Sequence, residues 1–316
     1  MNVACRICLE SVNDGELYHA RCVRSLFGSA RQPSLEIEIG RLHTAALAMV
    51  GHTSLSGAQK KISVNLSADR ETLQVAAGAG RFILKPQTEA YPALPENEHV
   101  TTRLAQLAGI DVGRFGLVSL KDGSLAFIVR RFDRLENGKK LRQEDFCQLA
   151  ELSPKEKYES SAERCIKLLR QFATEPLIEI QKLYRLLVFG WWSGNGDMHL
   201  KNFSLLVDEL GVIRLTPAYD LVCTRLVIPN DPLALSILGK KDNLDRKHWL
   251  AFAGYCQLPE KAAARVLDAQ VAALPKALGL IERCFLPAEQ KEQYRRLLEK
   301  HTAKLAAADT PSSDSI

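Results

Sequence analysis

The spacing of hydrophobic residues changes along the chain, and this change predicts two structurally different halves. Between about residues 41 and 136, apolar and polar residues alternate over short runs, which is typical of strands with one buried face. The predicted strands are residues 61–66, 81–85, 114–120 and 125–132. Asp122-Gly123 lies between the last two and favours a hairpin turn. One helix interrupts this region, beginning after Pro95 and stopped by Gly109.

From about residue 143 onward, apolar residues recur at i, i+3 and i+4, which is the period of amphipathic helices. The predicted helices include residues 162–173, 177–192, 259–274 and 287–306. A β-like insert interrupts them, with short strands over residues 202–207 and 212–215. The sequence therefore predicts an α+β fold of two lobes, sheet-rich in the N-terminal lobe and mostly helical in the C-terminal lobe. The cleft between such lobes is a usual place for a ligand.

Four regions follow from these patterns. We expect a Cys/His-rich segment and linker over residues 1–40 and the first lobe over residues 41–136. The helical lobe follows over residues 137–306, and a Ser- and Asp-rich tail over residues 307–316 is expected to be disordered.

Composition places the chain among soluble globular proteins, with 46% hydrophobic and 25% charged residues in 316. The net charge of +5 is compatible with anionic partners such as nucleotide phosphates, but it is too small to indicate a nucleic-acid-binding surface. The longest apolar run, residues 186–192, is much shorter than the roughly 18 residues of a membrane span. The first residues do not resemble a signal peptide, and the eight cysteines do not suggest a disulfide scaffold, so we expect a reducing cytoplasm.

Residues 194–206 carry the most informative chemistry. Asp197 and Asn202 are five residues apart and can face one pocket from a single loop. A carboxylate at Asp197 can accept a hydroxyl proton while the Asn202 oxygen binds Mg²⁺, and protein kinases use this same spacing in their catalytic loop. His199 lies inside the loop, where it is placed to orient Asp197 or the phosphates.

A second carboxylate, Asp220, follows a predicted strand and could hold the metal that bridges phosphates. Most aspartates in loops are turn residues or helix caps, and for Asp197 or Asp220 alone that interpretation is favoured. Two aspartates, an asparagine and a histidine at adjoining strand ends favour a functional site instead.

The first lobe offers groups that such a site would still lack. Lys85 ends an apolar strand and could reach nucleotide phosphates, although a lysine that merely ends an exposed strand is common. Glu98 could pair with Lys85, but Glu96 competes for this assignment. Residues 54–61, Ser-Leu-Ser-Gly-Ala-Gln-Lys-Lys, form a small-residue loop whose amides and lysines could cover phosphates. This loop lacks the repeated glycines of phosphate-binding motifs.

Several of these segments, in this order, resemble the HipA kinase family. They are residues 54–61, Phe-Ile-Leu-Lys-Pro at 82–86, Asn97-Glu98, Arg131 to Arg134, 143–148, 194–206 and Pro-Ala-Tyr-Asp at 217–220. The resemblance covers about residues 40–260 and implies a two-lobed, protein-kinase-like fold. It further implies a serine/threonine protein kinase that uses ATP and Mg²⁺ to phosphorylate a serine of a protein target, an aminoacyl-tRNA synthetase. Such a kinase would be the toxin of a toxin–antitoxin system.

The resemblance also implies a role for each matching position. Asp197 corresponds to the general base, Asn202 and Asp220 to the metal ligands, and Lys85 to the phosphate-binding lysine. Gly57, Ala58 and Gln59 lie in the loop that covers ATP, with Glu98 also at the ATP site. Ser54 and Ser56 match serines that can be autophosphorylated, and phosphates there would repel those of ATP. The alternative is that both serines simply suit a tight turn.

We expect this chain to lack the extra N-terminal subdomain of the long HipA form, for which it has no room. It resembles the short form, in which a separate HipS-like small protein supplies that subdomain and a HipB-like DNA-binding antitoxin completes the operon. We expect no direct contact of this chain with nucleic acid or membrane.

The start of the chain is a second departure from the family pattern. Cys5-x2-Cys8 followed by His19-x2-Cys22 provides four soft ligands, enough for a closed tetrahedral Zn²⁺ site of structural type. A turn at residues 13–15 could bring the two pairs together. The alternative is a vestigial knuckle with reduced, unliganded thiols.

Two other classes of function compete with the protein kinase. One is a small-molecule kinase of similar architecture. Residues 144–146 and the serine loop favour the HipA type over it, but the substrate cannot be read from loops. A non-catalytic binding protein is disfavoured, since none of the expected ATP and metal residues is missing.

Overall fold

The computed structural model describes residues 4–29, 31–35, 60–76, 80–135 and 137–306, and a six-stranded sheet forms the frame of its first half. The strands are Ser34–Leu35 (β1), Ile62–Leu66 (β2), Thr72–Val75 (β3), Phe82–Pro86 (β4), Phe115–Ser119 (β5) and Leu125–Arg130 (β6). Their order is β1-β3-β2-β4-β6-β5, and the pairings are antiparallel except for the parallel β1–β3 pair. Lys85 of β4 lies opposite Phe127 of β6.

A 14-residue helix, Leu94–Leu107 (α2), packs against this sheet. Pro95 occupies its first turn, where the missing N–H costs no hydrogen bond, and Gly109 with φ +72° lies just beyond its C-terminal end. Three consecutive residues of α2, Asn97, Glu98 and His99, are at most 1% exposed. Because successive helical residues point about 100° apart, α2 must be covered on most of its circumference at this level.

The second half is mostly helical. Its helices are Phe146–Leu149 (α3), Ala162–Phe172 (α4), Pro176–Trp192 (α5), Arg246–Tyr255 (α6), Glu260–Ala272 (α7), Leu274–Arg283 (α8) and Ala288–Ala306 (α9). An antiparallel sheet of Arg142–Asp145 (β7), Ser204–Val207 (β8) and Ile213–Leu215 (β9) lies beside them. The helical core is rich in large aromatic side chains, including Trp191, Trp192 and Trp249. The predicted α+β fold of a sheet-rich and a helical lobe is therefore confirmed.

The N-terminal segment contains one helix that the sequence patterns did not predict, Ala20–Phe27 (α1). Its apolar face, Cys22, Val23, Leu26 and Phe27, shares a hydrophobic core with Ile62, Val64, Phe82 and Leu84 of the sheet. Eight residues are too few to establish a helical period, which explains the omission. The expected boundary at residue 40 falls outside the described residues, as does the tail over residues 307–316.

Within the described residues, none of the helices combines the length and the apolar character needed to cross a lipid bilayer.

His301 of α9 provides a pH-dependent contribution to stability. Its ring stacks on Trp191 at 4.5 Å between centroids, and its Nδ1–H donates to the Trp192 carbonyl at 3.1 Å. Burial, with a smaller effect of Arg225, lowers the pKa of His301 to about 4. In the unfolded chain this histidine takes up a proton near pH 6.5, whereas in the folded chain it stays neutral. The contribution of His301 to the free energy of unfolding is therefore fully present above about pH 6.5 and is lost as the pH falls below it.

We expect the free energy of unfolding to drop by about 2 kcal/mol through His301 alone between pH 7 and pH 5. Urea unfolding of wild type and His301→Gln across this range measures the effect, and the variant should show the shallower pH dependence. Parallel pH profiles for the two proteins would contradict the assignment.

Candidate active site

A cavity of about 380 Å³ lies between the two halves, and both contribute to its walls. This volume falls within the range of small-molecule sites. Apolar side chains of the first half form one wall: Ile83, Phe115, Phe127, Val129 and Phe132. Charged side chains line the cavity as well: Lys61, Lys85, Glu98, Arg130, Arg131, Asp133, Asp145, Lys157, Lys201 and Asp220. A ligand with an apolar part and anionic groups fits such a lining.

Four of these charged groups form one ion-paired network. Lys85 Nζ lies 2.6 Å from Asp220 Oδ1 and also pairs with Glu98, while Lys61 Nζ lies 2.6 Å from Asp220 Oδ2. The network brings together a strand, the helix α2 and the segment after β9. Glu98, rather than Glu96, is thus the partner of Lys85.

Ion pairing fixes the charge of two members of the network, Lys85 and Asp220, while burial raises the pKa of Glu98. Burial alone would lower the pKa of Lys85, but Asp220 and Glu98 outweigh it and raise that pKa. Burial alone would raise the pKa of Asp220, but Lys61 and Lys85 outweigh it and hold that pKa well below its usual range. Both groups are therefore charged at neutral pH.

Asp220 is held in place by its backbone as well as by its charge. Its φ of +55° lies in the left-handed region, which aspartate tolerates better than most residues. Two residues earlier, Ala218 N–H donates to the Asp111 carbonyl at 2.8 Å, and Val112 and Ala218 form an isolated parallel β-bridge. The segment that presents Asp220 is thereby tied to the first half of the molecule.

The loop containing Asp197 begins where α5 ends, at Gly194 with φ +73°. Asp197 is half-buried, and its Oδ1 accepts a hydrogen bond from the Tyr158 hydroxyl at 2.5 Å. The Tyr158 ring meets the His199 ring edge-on at 5.0 Å. Burial, with a smaller effect of Lys157, lowers the pKa of His199 to about 3, so this cavity-lining histidine is neutral at pH 7. Asp197 thus lies beside a residue of the cavity wall.

The loop requires a glycine at position 196, because neighbouring residues leave no space for a side chain there. A Cβ at this position would lie 2.2 Å from Asp231 Oδ2 and 2.6 Å from the Pro232 carbonyl oxygen. The Gly196 N–H donates to Thr224 Oγ1 at 2.8 Å, and Thr224 in turn donates to Asp231 at 2.5 Å. Thr224 and Asp231 therefore position the loop, and the local sequence patterns gave no signal for either.

Asn202 has the character of a cation ligand. The residue is 4% exposed, and its Oδ1 has no hydrogen-bond partner among the described residues. A buried amide oxygen without a partner is costly, and a bound cation would satisfy it. Asn202 and Asp220 both offer oxygen, the donor that Mg²⁺ prefers, so the chemistry of each suits a magnesium ion.

The structure brings Lys85, Glu98, His199 and Asp220 to one cavity, whereas Asp197 and Asn202 are not among the residues that line it. The predicted residues Ser54, Ser56, Gly57, Ala58 and Gln59 lie outside the described residues. Two cavity lysines, Lys157 and Lys201, were given no role from the sequence. Lys201 lies within the segment 194–206, whereas no local pattern marks Lys157.

Helix α2 is joined to the segment after Asp220 by a pair of buried hydrogen bonds. Asn97 Nδ2 donates to the Cys223 carbonyl at 3.0 Å, and Cys223 N–H donates to Asn97 Oδ1 at 2.9 Å. This contact fixes α2 next to the segment that carries Asp220, so that Glu98 and Asp220 meet Lys85 from two sides.

The four soft ligands predicted at the start of the chain also come together. One candidate ligand atom from each of Cys5, Cys8, His19 and Cys22 lies within 4.8 Å of the others. The hydrogen bond from the Cys8 thiol lowers the pKa of Cys5, while the same pairing raises the pKa of Cys8 and burial raises that of Cys22.

Comparison with known proteins identifies the family. A model of the HipA-like C-terminal domain matches residues 53–278. The protein named Putative kinase Y4mE of Sinorhizobium fredii is 34% identical over 211 residues, which are 63% of this chain and 50% of that protein. The serine/threonine-protein kinase toxin HipA of Shewanella oneidensis is 28% identical over 188 residues, 54% of this chain and 42% of the toxin. The chain thus spans about half the length of these relatives.

A solved structure supports the fold. In the complex of HipA, HipB and operator DNA from the Shewanella oneidensis MR-1 toxin–antitoxin system, one chain superposes with a TM-score of 0.68 at 23% identity. The match covers 79% of this chain and 64% of that chain. The two-lobed fold of a HipA-type kinase is therefore shared.

Proposed function

Because the chain belongs to the family of the HipA-like C-terminal domain, we propose that it is a serine/threonine protein kinase that uses ATP and Mg²⁺. The observation that carries the proposal is the ion-paired network of Lys85, Glu98 and Asp220 in a cavity that is also lined by His199, two residues after Asp197. Protein kinases place a strand lysine, a helix glutamate and a metal-binding aspartate in this relation.

Each residue has a defined task in the proposed reaction. The apolar wall binds the base of ATP, and Lys85 and Lys61 bind its phosphates. Asn202 and Asp220 would hold Mg²⁺, which when bound neutralises charge on the phosphate oxygens. Asp197 accepts the proton of the substrate hydroxyl, and the Tyr158 hydroxyl holds its carboxylate in position.

The family supports a biological setting for this reaction. The solved relative is a complex with HipB and DNA, which supports a HipB-like antitoxin as partner, and we include a HipS-like small protein in the proposal. The proposed substrate is a serine of an aminoacyl-tRNA synthetase in the cytoplasm. The proposed organisation retains the lobes over residues 41–136 and 137–306. Autophosphorylation of Ser54 and Ser56 would regulate the kinase, since phosphates there would repel those of ATP.

Labelled ATP separates this function from its rivals. The purified protein is incubated with γ-labelled ATP and a bacterial lysate, with Asp197→Asn as the inactive control. Label in a protein band, absent with the variant, supports a protein kinase. Label confined to small molecules would indicate a small-molecule kinase, and no transfer at all would indicate a binding protein.

The same reaction without lysate reports on autophosphorylation. Intact-mass analysis should show added phosphate on the wild type and none on the variant carrying both Ser54→Ala and Ser56→Ala. Phosphate that persists on the double variant would place the modification elsewhere.

A further inference from the structure

The Cys/His cluster at the start of the chain has the backbone geometry of a metal knuckle. The residues from Cys5 to Cys8 form a tight turn, closed by hydrogen bonds from Leu9 N–H to the Cys5 carbonyl at 2.9 Å and from Cys5 N–H to the Glu10 carbonyl at 2.8 Å. His19 caps α1, and Cys22 lies in its first turn. A turn and a helix start thus face each other, each with two ligands.

The histidine of the cluster is already oriented as a ligand. His19 Nε2 lies 3.0 Å from the Ser11 carbonyl oxygen, which can only accept, so Nε2 carries the proton. The lone pair is then on Nδ1, which lies 3.3 Å from Cys8 Sγ and 3.9 Å from Cys22 Sγ. A backbone carbonyl that fixes the far nitrogen in this way is the usual support of a metal-binding histidine.

The turn is also a point of attachment for other elements. Three of its carbonyls accept hydrogen bonds: Arg6 from Leu117 N–H of β5 at 2.8 Å, Ile7 from His99 Nε2 of α2 at 3.1 Å, and Leu9 from Arg283 Nε of α8 at 3.0 Å. The Ile7 side chain packs closely against β5, since a Cβ at Gly116 would lie 2.7 Å from Ile7 Cγ1. The turn therefore joins the sheet, α2 and the helical half.

We propose that Cys5, Cys8, His19 and Cys22 bind one Zn²⁺ ion, and that this ion fixes the turn that anchors α2 through His99. Three thiolates and one imidazole form a closed tetrahedral set, which selects zinc as a structural metal. Without the metal the turn keeps its backbone hydrogen bonds but loses its tie to the start of α1, so the carbonyl that accepts from the buried His99 is held less rigidly.

The anchored helix links the zinc ion to the cavity. His99 follows Glu98 directly, so movement of the turn acts on the partner of Lys85. Resting on the proposed function, this predicts that removal of zinc weakens nucleotide binding without any change in the cavity residues.

Metal analysis of the purified full chain tests the zinc site itself. We expect about one zinc ion per chain in the wild type, and loss of most of it in Cys8→Ser and Cys22→Ser. Cys256→Ala, which removes a buried cysteine outside the cluster, should retain the metal. Wild-type protein that holds no zinc after incubation with ZnCl₂ and reductant, or variants with unchanged zinc content, would overturn the site.

Hydrogen exchange on the wild type tests the anchoring, independently of catalysis and of any folding defect in the variants. Chelation of zinc should speed amide exchange in α2 by about ten-fold or more, and ZnCl₂ should reverse the change. Equal amide exchange rates in α2 with and without bound zinc would overturn the anchoring role. Zinc-dependent exchange in a protein that shows no phosphate transfer would retain this inference and reject the kinase.

Discussion

Replacing Asp197 with asparagine should slow phosphate transfer by about 10²–10⁴-fold, the usual contribution of a general base. The amide keeps the size of the carboxylate and can still accept the hydrogen bond from Tyr158, but it cannot take up the substrate proton. Nucleotide affinity should stay within about two-fold of wild type, because Asp197 is not among the residues that line the cavity.

Single-turnover kinetics and a nucleotide titration separate the two effects. Asp122→Asn, at the exposed hairpin between β5 and β6, is the matched control and should retain full activity. A variant at Asp197 that transfers phosphate at the wild-type rate would refute its role as the base.

Replacing Lys85 with methionine should have the largest effect on stability, a loss of about 3–5 kcal/mol, together with loss of nucleotide binding. The side chain is 4% exposed, and its removal leaves Glu98, itself 2% exposed, as a buried carboxylate without a cation. Denaturant unfolding, with and without ATP and Mg²⁺, measures both effects. ATP should stabilise the wild type and leave the variant unchanged.

Two further variants isolate the cause. The double variant Lys85→Met with Glu98→Gln also removes the carboxylate that the first change leaves without a cation. It should therefore recover much of the stability but none of the nucleotide binding. Lys61→Met removes a lysine that is 40% exposed and should cost less than about 1 kcal/mol. Equal losses for the Lys61 and Lys85 variants would show that burial of the ion pair does not govern stability here.

The sequence predicted those features that local patterns specify. The helix predicted from Pro95 to Gly109 is α2 at Leu94–Leu107, because a proline start and a glycine stop bracket a continuous helical run. Helix α5, which begins at Pro176, and the β8–β9 hairpin were also predicted within two residues of their ends. In contrast, β3 has four residues and a single fully buried side chain, which is too little for a pattern.

In the candidate site, too, local features could be predicted from the sequence and contacts between distant segments could not. The spacing of Asp197 and Asn202 is local and was readable, whereas the pairing of Asn97 with Cys223 joins residues far apart in sequence. Tyr158 and Thr224 act on the loop from distant segments, and only the folded chain brings them there. Supporting contacts of this kind carry no signature in a single sequence.

The double pairing of Asp220 has a consequence for the order in which ligands assemble. In the protein alone the two carboxylate oxygens of Asp220 pair with the ammonium groups of Lys61 and Lys85. These lysines neutralise the charge of Asp220, so a divalent cation without nucleotide should bind there weakly. Phosphate groups that draw Lys61 and Lys85 toward themselves would uncover the same oxygens. Cation and nucleotide should therefore arrive cooperatively, each raising the affinity of the other by an equal factor.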